Sequence, residues 1–185
     1  LVQRALEHFK QSTTDQADST MEISLSAYRD ETRYGLEIER VFKHLPIAVA
    51  LSIELPESGS YRAMTVMGVP LLLVRGEDLN VRAMLNVCRH RGAKLCEEGA
   101  GKSRLIVCPY HAWSYNYEGA LVGRYGGDTF GEIASDSYGL TGLHCEEKAG
   151  IIWASLTPGD VFDVDHWLGD FGEELETLDL NNWYL

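Results

Sequence analysis

The chain lacks the features that mark a membrane or exported protein. Its 185 residues contain no apolar run of about 18 residues that could cross a bilayer, and no signal-peptide pattern follows Leu1. Basic residues are few, with 16 Lys and Arg against 28 Asp and Glu, and they form no stripe. These absences predict a cytoplasmic protein that neither spans a membrane nor binds nucleic acid.

Charge is distributed unevenly along the chain. The net charge is −12, and residues 128–185 contain 13 Asp or Glu but only one basic residue, Lys148. Because Leu1 is not an initiator methionine, we expect the sequence to be a piece of a longer chain. Its length is enough for one good-sized core with appendages.

Two short segments in the middle of the chain each offer a thiolate and an imidazole. They read CRHRG at residues 88–92 and CPYHAW at residues 108–113, and 17 residues separate His90 from Cys108. A glycine in the first segment and a proline in the second permit the sharp turns that would aim both side chains at one object. The pattern resembles the Rieske motif, which binds a [2Fe–2S] cluster through two cysteines on one iron and two histidines on the other.

The resemblance assigns the cluster ligands as Cys88, His90, Cys108 and His111. Two cysteines and two histidines also suit a zinc ion, so a zinc-stabilised binding module is an alternative. Structural zinc sites favour cysteine pairs separated by two to four residues and followed by paired histidines. Neither half of the motif has that form, which favours the iron–sulfur interpretation.

The remaining cysteines and the charges near the motif permit simpler interpretations. Cys96 and Cys145 are predicted to be free, buried thiols, as expected in a reducing compartment. Basic residues outnumber Glu97 and Glu98 around the motif, and they are Arg89, Arg91, Lys94, Lys102 and Arg104. They form either an ordinary solvated surface or a docking patch for an acidic electron donor.

Hydrophobic patterning predicts a mainly β fold with helices at both ends. Residues 1–29 read as a helix and a flexible arm, residues 30–46 as a helix capped by Asp30 and stopped by Pro46, and residues 157–185 as acidic and helical, mainly over 163–180. Between them, short apolar runs alternate with turn residues, and the predicted strands cover 47–55, 61–67, 70–75, 79–87, 104–107, 113–117, 121–123, 140–145 and 150–156. We therefore expect an antiparallel sandwich or barrel over 47–156 that carries the two ligand segments on hairpin loops.

The resemblance extends beyond the ligands. The runs LNVCRHRGAKLC at 85–96, CPYHAWSY at 108–115 and GIIWASL at 150–156 are similar to the N-terminal part of Rieske non-haem iron oxygenase α subunits, the aromatic-ring-hydroxylating enzymes. This resemblance implies that a ferredoxin or flavin reductase donates electrons to the cluster. It further implies that the cluster relays them to a mononuclear iron(II) held by two histidines and a carboxylate, in a homotrimer or an α/β oligomer.

The mononuclear iron site of that family has no counterpart in this sequence. Only His144 and His166 follow the cluster motif, and they do not form the expected histidine pair. We therefore assign no catalytic residue and place the mononuclear iron in a catalytic domain that this sequence does not include. A standalone Rieske-type ferredoxin is the alternative function.

Overall fold

The computed structural model describes residues 2–127 and 134–183, which divide into two compact units at Tyr34/Gly35. The first unit contains helix α1 (Val2–Gln11) and the short helix α2 (Ser26–Arg29). The next helix, α3, covers Glu31–Glu37. In none of these three helices is a residue buried.

The helix predicted before Pro46 is present, but its two halves are wound differently. The Asp30 carboxylate accepts hydrogen bonds from the backbone N–H groups of Thr32 (2.9 Å) and Arg33 (3.1 Å), which confirms the predicted N-cap. After α3 the chain continues as a π-helical turn over Ile38–Phe42. This change in winding leaves no signal in the apolar spacing.

Eleven strands within the described residues form three antiparallel sheets. The first has the order β1 (Ile47–Leu51), β11 (Ile151–Ala154), β10 (Cys145–Lys148). The second has the order β5 (Gly99–Lys102), β2 (Ser60–Val66), β3 (Val69–Arg75), β4 (Val81–Leu85), β9 (Gly142–Leu143). The third has the order β6 (Ile106–Val107), β7 (Ser114–Tyr115), β8 (Leu121–Gly123).

Strand β3 lies at the centre of the five-stranded sheet and separates two hydrophobic cores. Its side chains are buried continuously from Leu71 to Arg75, because both faces of the strand are covered. Leu72 and Val74 belong to the core that also contains both ligand cysteines, whereas Leu71 and Leu73 belong to the core beneath the β1-β11-β10 sheet. The predicted ligands therefore lie on one side of β3.

Two predicted elements near the end of the chain differ from the structure. The partner of β11 is β10 and not the predicted strand over 140–145, whose residues 142–143 pair with β4 instead. The chain thus crosses from one sheet to another at His144. The helix predicted over 163–180 is two helices, α4 (Val164–Leu168) and α5 (Phe171–Glu176), because Gly169 adopts φ +53° and ends the first.

The fold class is the one predicted, a mainly antiparallel β structure with helices before and after it. Across the described residues, no helix is both long and apolar enough to cross a bilayer. The domain boundaries placed at 29/30, 46/47 and 156/157 stay predictions.

Candidate metal centre

The first ligand loop joins β4 to β5 and turns tightly after Cys88. The backbone N–H of Gly92 donates to the Cys88 carbonyl (2.9 Å), and the Cys88 N–H donates to the Ala93 carbonyl (2.8 Å). Gly92 adopts φ +72°, a left-handed conformation that glycine accepts without strain. These two bonds close the tight turn that contains both Cys88 and His90.

The second ligand loop repeats this turn at the tip of the β6–β7 hairpin. The Ala112 N–H donates to the Cys108 carbonyl (2.9 Å), and the Cys108 N–H donates to the Trp113 carbonyl (2.8 Å). Ala112 occupies the position of Gly92 and adopts φ +54° although it carries a Cβ. The two loops are therefore built alike, but only the first has a glycine at the left-handed position.

The structure places the two predicted histidine ligands side by side and the two predicted cysteine ligands in one buried core. The His90 and His111 rings lie 4.8 Å apart between centroids and meet at 67°. Cys88 and Cys108 belong to one buried cluster, each is only 2% exposed, and neither forms a disulfide. Two half-buried imidazoles and two buried free thiols are the donor types of a histidine-ligated [2Fe–2S] cluster.

The state of the histidines fits metal ligation. Within the part of the chain that the structure describes, the Nδ1 atom of His111 is buried and has no hydrogen-bond partner, which is costly unless a ligand satisfies it. Burial, followed by the neighbouring His111 and Arg91, lowers the pKa of His90. A lowered pKa favours the neutral imidazole, the form that binds a metal.

Tyr115 connects the second hairpin to the first ligand loop. Its hydroxyl lies 3.3 Å from the Cys88 sulfur and accepts a hydrogen bond from the backbone N–H of Arg89 (3.2 Å). Burial and the bond to Cys88 raise the pKa of Tyr115 well above its usual range, so the phenol stays protonated. Because the oxygen accepts from Arg89, its proton is available to the Cys88 sulfur.

Trp113 packs directly on a predicted ligand. Its ring is 1% exposed and lies parallel to the His90 ring, with centroids 4.7 Å apart and planes within 5°. Tyr138 meets the Trp113 ring edge-on at 5.6 Å. The structure therefore gives Trp113 a specific contact that fixes the plane of the His90 ring, in addition to its place in the core.

The other candidate residues do not join the centre. Cys96 and Cys145 are free, as predicted, but only partly buried, and burial raises the pKa of Cys145 to about 11. His144 bonds to Glu146 (2.9 Å) and to the Phe162 carbonyl (2.9 Å). The backbone N–H of His166 donates to the α4 N-cap Asp163 (2.9 Å).

Asn86 is a buried residue of the site that the sequence interpretation missed. It is 1% exposed, and its side chain bonds to the backbone of Leu95 and Cys96 on the far side of the first loop. The available signal was a polar residue inside an apolar strand pattern, two positions before Cys88. Such a residue is buried only when its hydrogen bonds are satisfied.

The basic residues around the loops differ in their ion pairing. Lys94 lies 3.6 Å from Glu97 and Lys102 lies 2.6 Å from Glu57. Three other side chains of this group are exposed and form no ion pair with any described residue. They belong to Arg89, Arg91 and Arg104. Two of these three arginines flank His90 in the first loop.

Comparison with known proteins agrees with this geometry. Residues 46–126 match the family model described as the Rieske [2Fe–2S] domain. The chain is 31% identical to the glycine betaine monooxygenase oxygenase subunit of Chromohalobacter salexigens, over 84% of this chain and 34% of that protein. It is 33% identical to the benzene 1,2-dioxygenase subunit alpha of Pseudomonas putida, over 77% of this chain and 32% of that protein.

A solved structure shares the fold as well. It is a quaternary ammonium Rieske monooxygenase whose structure gives insights into carnitine oxidation and inter-subunit electron transfer. The TM-score is 0.71 at 32% identity, covering 77% of this chain and 39% of that chain. The chain spans about a third of the length of the curated relatives that it matches.

These similarities support the expected oxygenase interpretation and widen the expected class of enzyme. The relatives are oxygenase subunits, which favours the oxygenase interpretation over a standalone ferredoxin. The expected restriction to aromatic-ring-hydroxylating enzymes is too narrow, since the relatives include a glycine betaine monooxygenase as well as a benzene 1,2-dioxygenase by name.

Proposed function

Because the chain belongs to the Rieske [2Fe–2S] domain family and its homologues are Rieske oxygenase α subunits, we propose that it is the electron-transfer part of such an oxygenase. In this proposal Cys88, His90, Cys108 and His111 hold the cluster. Electrons arrive one at a time from a ferredoxin or flavin reductase and leave toward a mononuclear iron in the catalytic domain of the whole protein. That protein would oxidise an organic substrate with dioxygen.

One observation carries the ligand assignment. Two loops of the same hydrogen-bonded shape bring the His90 and His111 rings to 4.8 Å between centroids, and the cysteine of each loop is a buried free thiol. The buried, unpartnered Nδ1 of His111, within the described residues, supports a bound metal at this place. When bound, the cluster takes up and releases single electrons, and its histidine ligands raise its potential above that of an all-cysteine cluster.

The surrounding side chains support this role in three ways. Trp113 fixes the His90 ring by stacking, and Tyr115 supplies a hydrogen-bond donor to the Cys88 sulfur. Tyr110 is 60% exposed, and its ring centroid lies 3.8 Å from that of His111. The histidine side of the site is therefore close to the surface, where a redox partner can approach.

We further propose that the electron crosses between subunits in the assembled protein, by analogy with the inter-subunit electron transfer described for the quaternary ammonium monooxygenase. A homotrimer, or an oligomer with β subunits, is the proposed assembly. The half-buried His90 and His111 would then face the partner subunit's iron.

The test of the cluster assignment is electron paramagnetic resonance of the dithionite-reduced protein, together with iron and acid-labile sulfide analysis. We expect a rhombic signal with about two irons and two sulfides per chain. Cys108→Ser should lose both the signal and the sulfide, whereas Cys145→Ser, a matched thiol outside the centre, should keep them. Zinc without sulfide in the unaltered protein would contradict the proposal.

The proposed acidic donor is tested by the rate at which ferredoxin reduces the cluster. Arg89 and Arg91 are exposed, flank His90 and form no ion pair with a described residue, so they attract an acidic partner over about 10 Å at 0.1 M salt. We expect the rate to fall as salt rises and Arg91→Gln to lower it. Arg40→Gln, an exposed arginine outside both loops, is the control. A rate independent of salt would contradict the docking patch.

A further inference from the structure

The two ligand loops are closed by different means at their bases. The second loop is carried by a regular hairpin, in which Val107 pairs with Ser114 and Ile106 pairs with Tyr115. The first loop has one isolated bridge, between Val87 and Lys94, and no strand ladder below it among the described residues. The two loops have the same turn but unequal support.

Asn86 occupies the place where the ladder of the first loop is missing. Its Oδ1 atom accepts hydrogen bonds from the backbone N–H groups of Leu95 (3.2 Å) and Cys96 (3.0 Å), and its Nδ2 group donates to the Cys96 carbonyl (2.8 Å). The backbone N–H of Asn86 donates to the Pro70 carbonyl (2.8 Å). The buried Asn86 side chain thus joins the incoming and outgoing arms of the loop, and the Asn86 backbone N–H anchors them to β3.

We infer that Asn86 is a positioning residue for the cluster, which holds together the two arms of the first ligand loop and so fixes the placement of Cys88 and His90. Its amide replaces the cross-strand hydrogen bonds that the second loop obtains from β6 and β7. No other residue type of this size offers two acceptor positions and a donor in one plane. Since the hydrogen bonds of the Asn86 side chain go to backbone groups and not to a predicted ligand, it acts through the backbone of the loop.

This inference rests on the proposed ligand assignment, so its first test uses the cluster-free protein. Hydrogen exchange of the backbone amides should be faster in Asn86→Ala at Leu95 and Cys96, which lose their acceptor. The matched control is Asn116→Ala, because Asn116 accepts one backbone bond, from Ala120 (2.8 Å), in a turn outside both loops. Unchanged protection of Leu95 and Cys96 would overturn the inference whatever the cluster does.

The second test is cluster retention, followed by bleaching of the visible absorbance under a chelator. Outer-shell partners of metal ligands typically contribute about 10- to 100-fold in affinity. We expect Asn86→Ala to lose its cluster roughly tenfold or more faster than the unaltered protein, and to shift its resonance g values. Asn116→Ala should keep the g values and the rate. Equal rates of cluster loss for the two variants would overturn the positioning role.

A conservative variant covers the case in which Asn86→Ala does not fold. Asn86→Asp keeps the shape and the acceptor atoms but removes the donor to the Cys96 carbonyl. Its rate of cluster loss should lie between those of the unaltered protein and Asn86→Ala, and a rate equal to the unaltered one would contradict the role of the Nδ2 bond. Absence of a cluster in the unaltered protein would instead refute the proposed function.

Discussion

Exchanging the residues at the left-handed positions of the two ligand loops should change stability in opposite directions. Gly92 adopts φ +72° and Ala112 adopts φ +54° in turns with the same pair of backbone hydrogen bonds. A Cβ in this conformation costs about 1–2 kcal/mol. Replacing alanine by glycine also increases the entropy of the unfolded chain, which lowers the free energy of unfolding by about 0.4–1 kcal/mol. Ala112→Gly should therefore stabilise the fold by about 0.5–1 kcal/mol.

The opposite exchange in the first loop, Gly92→Ala, should destabilise the fold by a similar amount. A Cβ at Gly92 would have no atom within 4 Å, so the backbone conformation alone determines the cost. Gly35→Ala provides the matched control, because Gly35 lies in α3 with ordinary helical φ and equally open space around a new Cβ. That variant should gain up to about 1 kcal/mol from helix propensity.

Urea unfolding of the cluster-free protein measures all three free energies. A difference of 1 kcal/mol corresponds to about 2–4 °C in Tm for a chain of this length. We expect Ala112→Gly and Gly35→Ala to raise both the urea midpoint and the Tm, and Gly92→Ala to lower both. If Gly92→Ala stabilised the protein as much as Gly35→Ala does, the argument from backbone conformation would be refuted.

Three further changes probe other contacts. Tyr115→Phe removes the hydroxyl 3.3 Å from the Cys88 sulfur, which should lower the one-electron reduction potential by about 20–60 mV in a redox titration. Arg75→Met leaves Glu147 and the Leu55 carbonyl without their buried partner, and should lower the free energy of unfolding by about 2–4 kcal/mol. Because its pKa is about 11, the Cys145 thiol should be about 0.1% ionised at pH 8, and iodoacetamide labelling should rise roughly tenfold per pH unit up to that pKa.

Each of these three predictions has an outcome that would contradict it. An unchanged potential in Tyr115→Phe would show that the hydroxyl does not stabilise the reduced cluster. Arg40→Met, at an exposed position, should change stability by less than about 0.5 kcal/mol, and an equal loss in both arginine variants would contradict the argument from burial. Rapid labelling of Cys145 at pH 8 in the folded protein would contradict its raised pKa, for which urea-unfolded protein gives the reference rate.

The sequence by itself determined the candidate ligands and the fold class. Within each loop the cysteine and histidine are separated by one or two residues, so their proximity follows from covalent spacing and a sharp turn. The alternation of short apolar runs and turn residues likewise reflects local preferences, and it predicted most of the antiparallel strands.

Only the tertiary structure decided how the two loops are supported and which strands pair near the end of the chain. The bonds from Asn86 to Cys96 and the stacking of Trp113 on His90 join residues that are not neighbours in the sequence. The pairing of β10 with β11, in place of the predicted strand over 140–145, depends on the chain crossing between sheets at His144. Such contacts are selected by burial and hydrogen bonding in the whole fold, which local residue patterns do not specify.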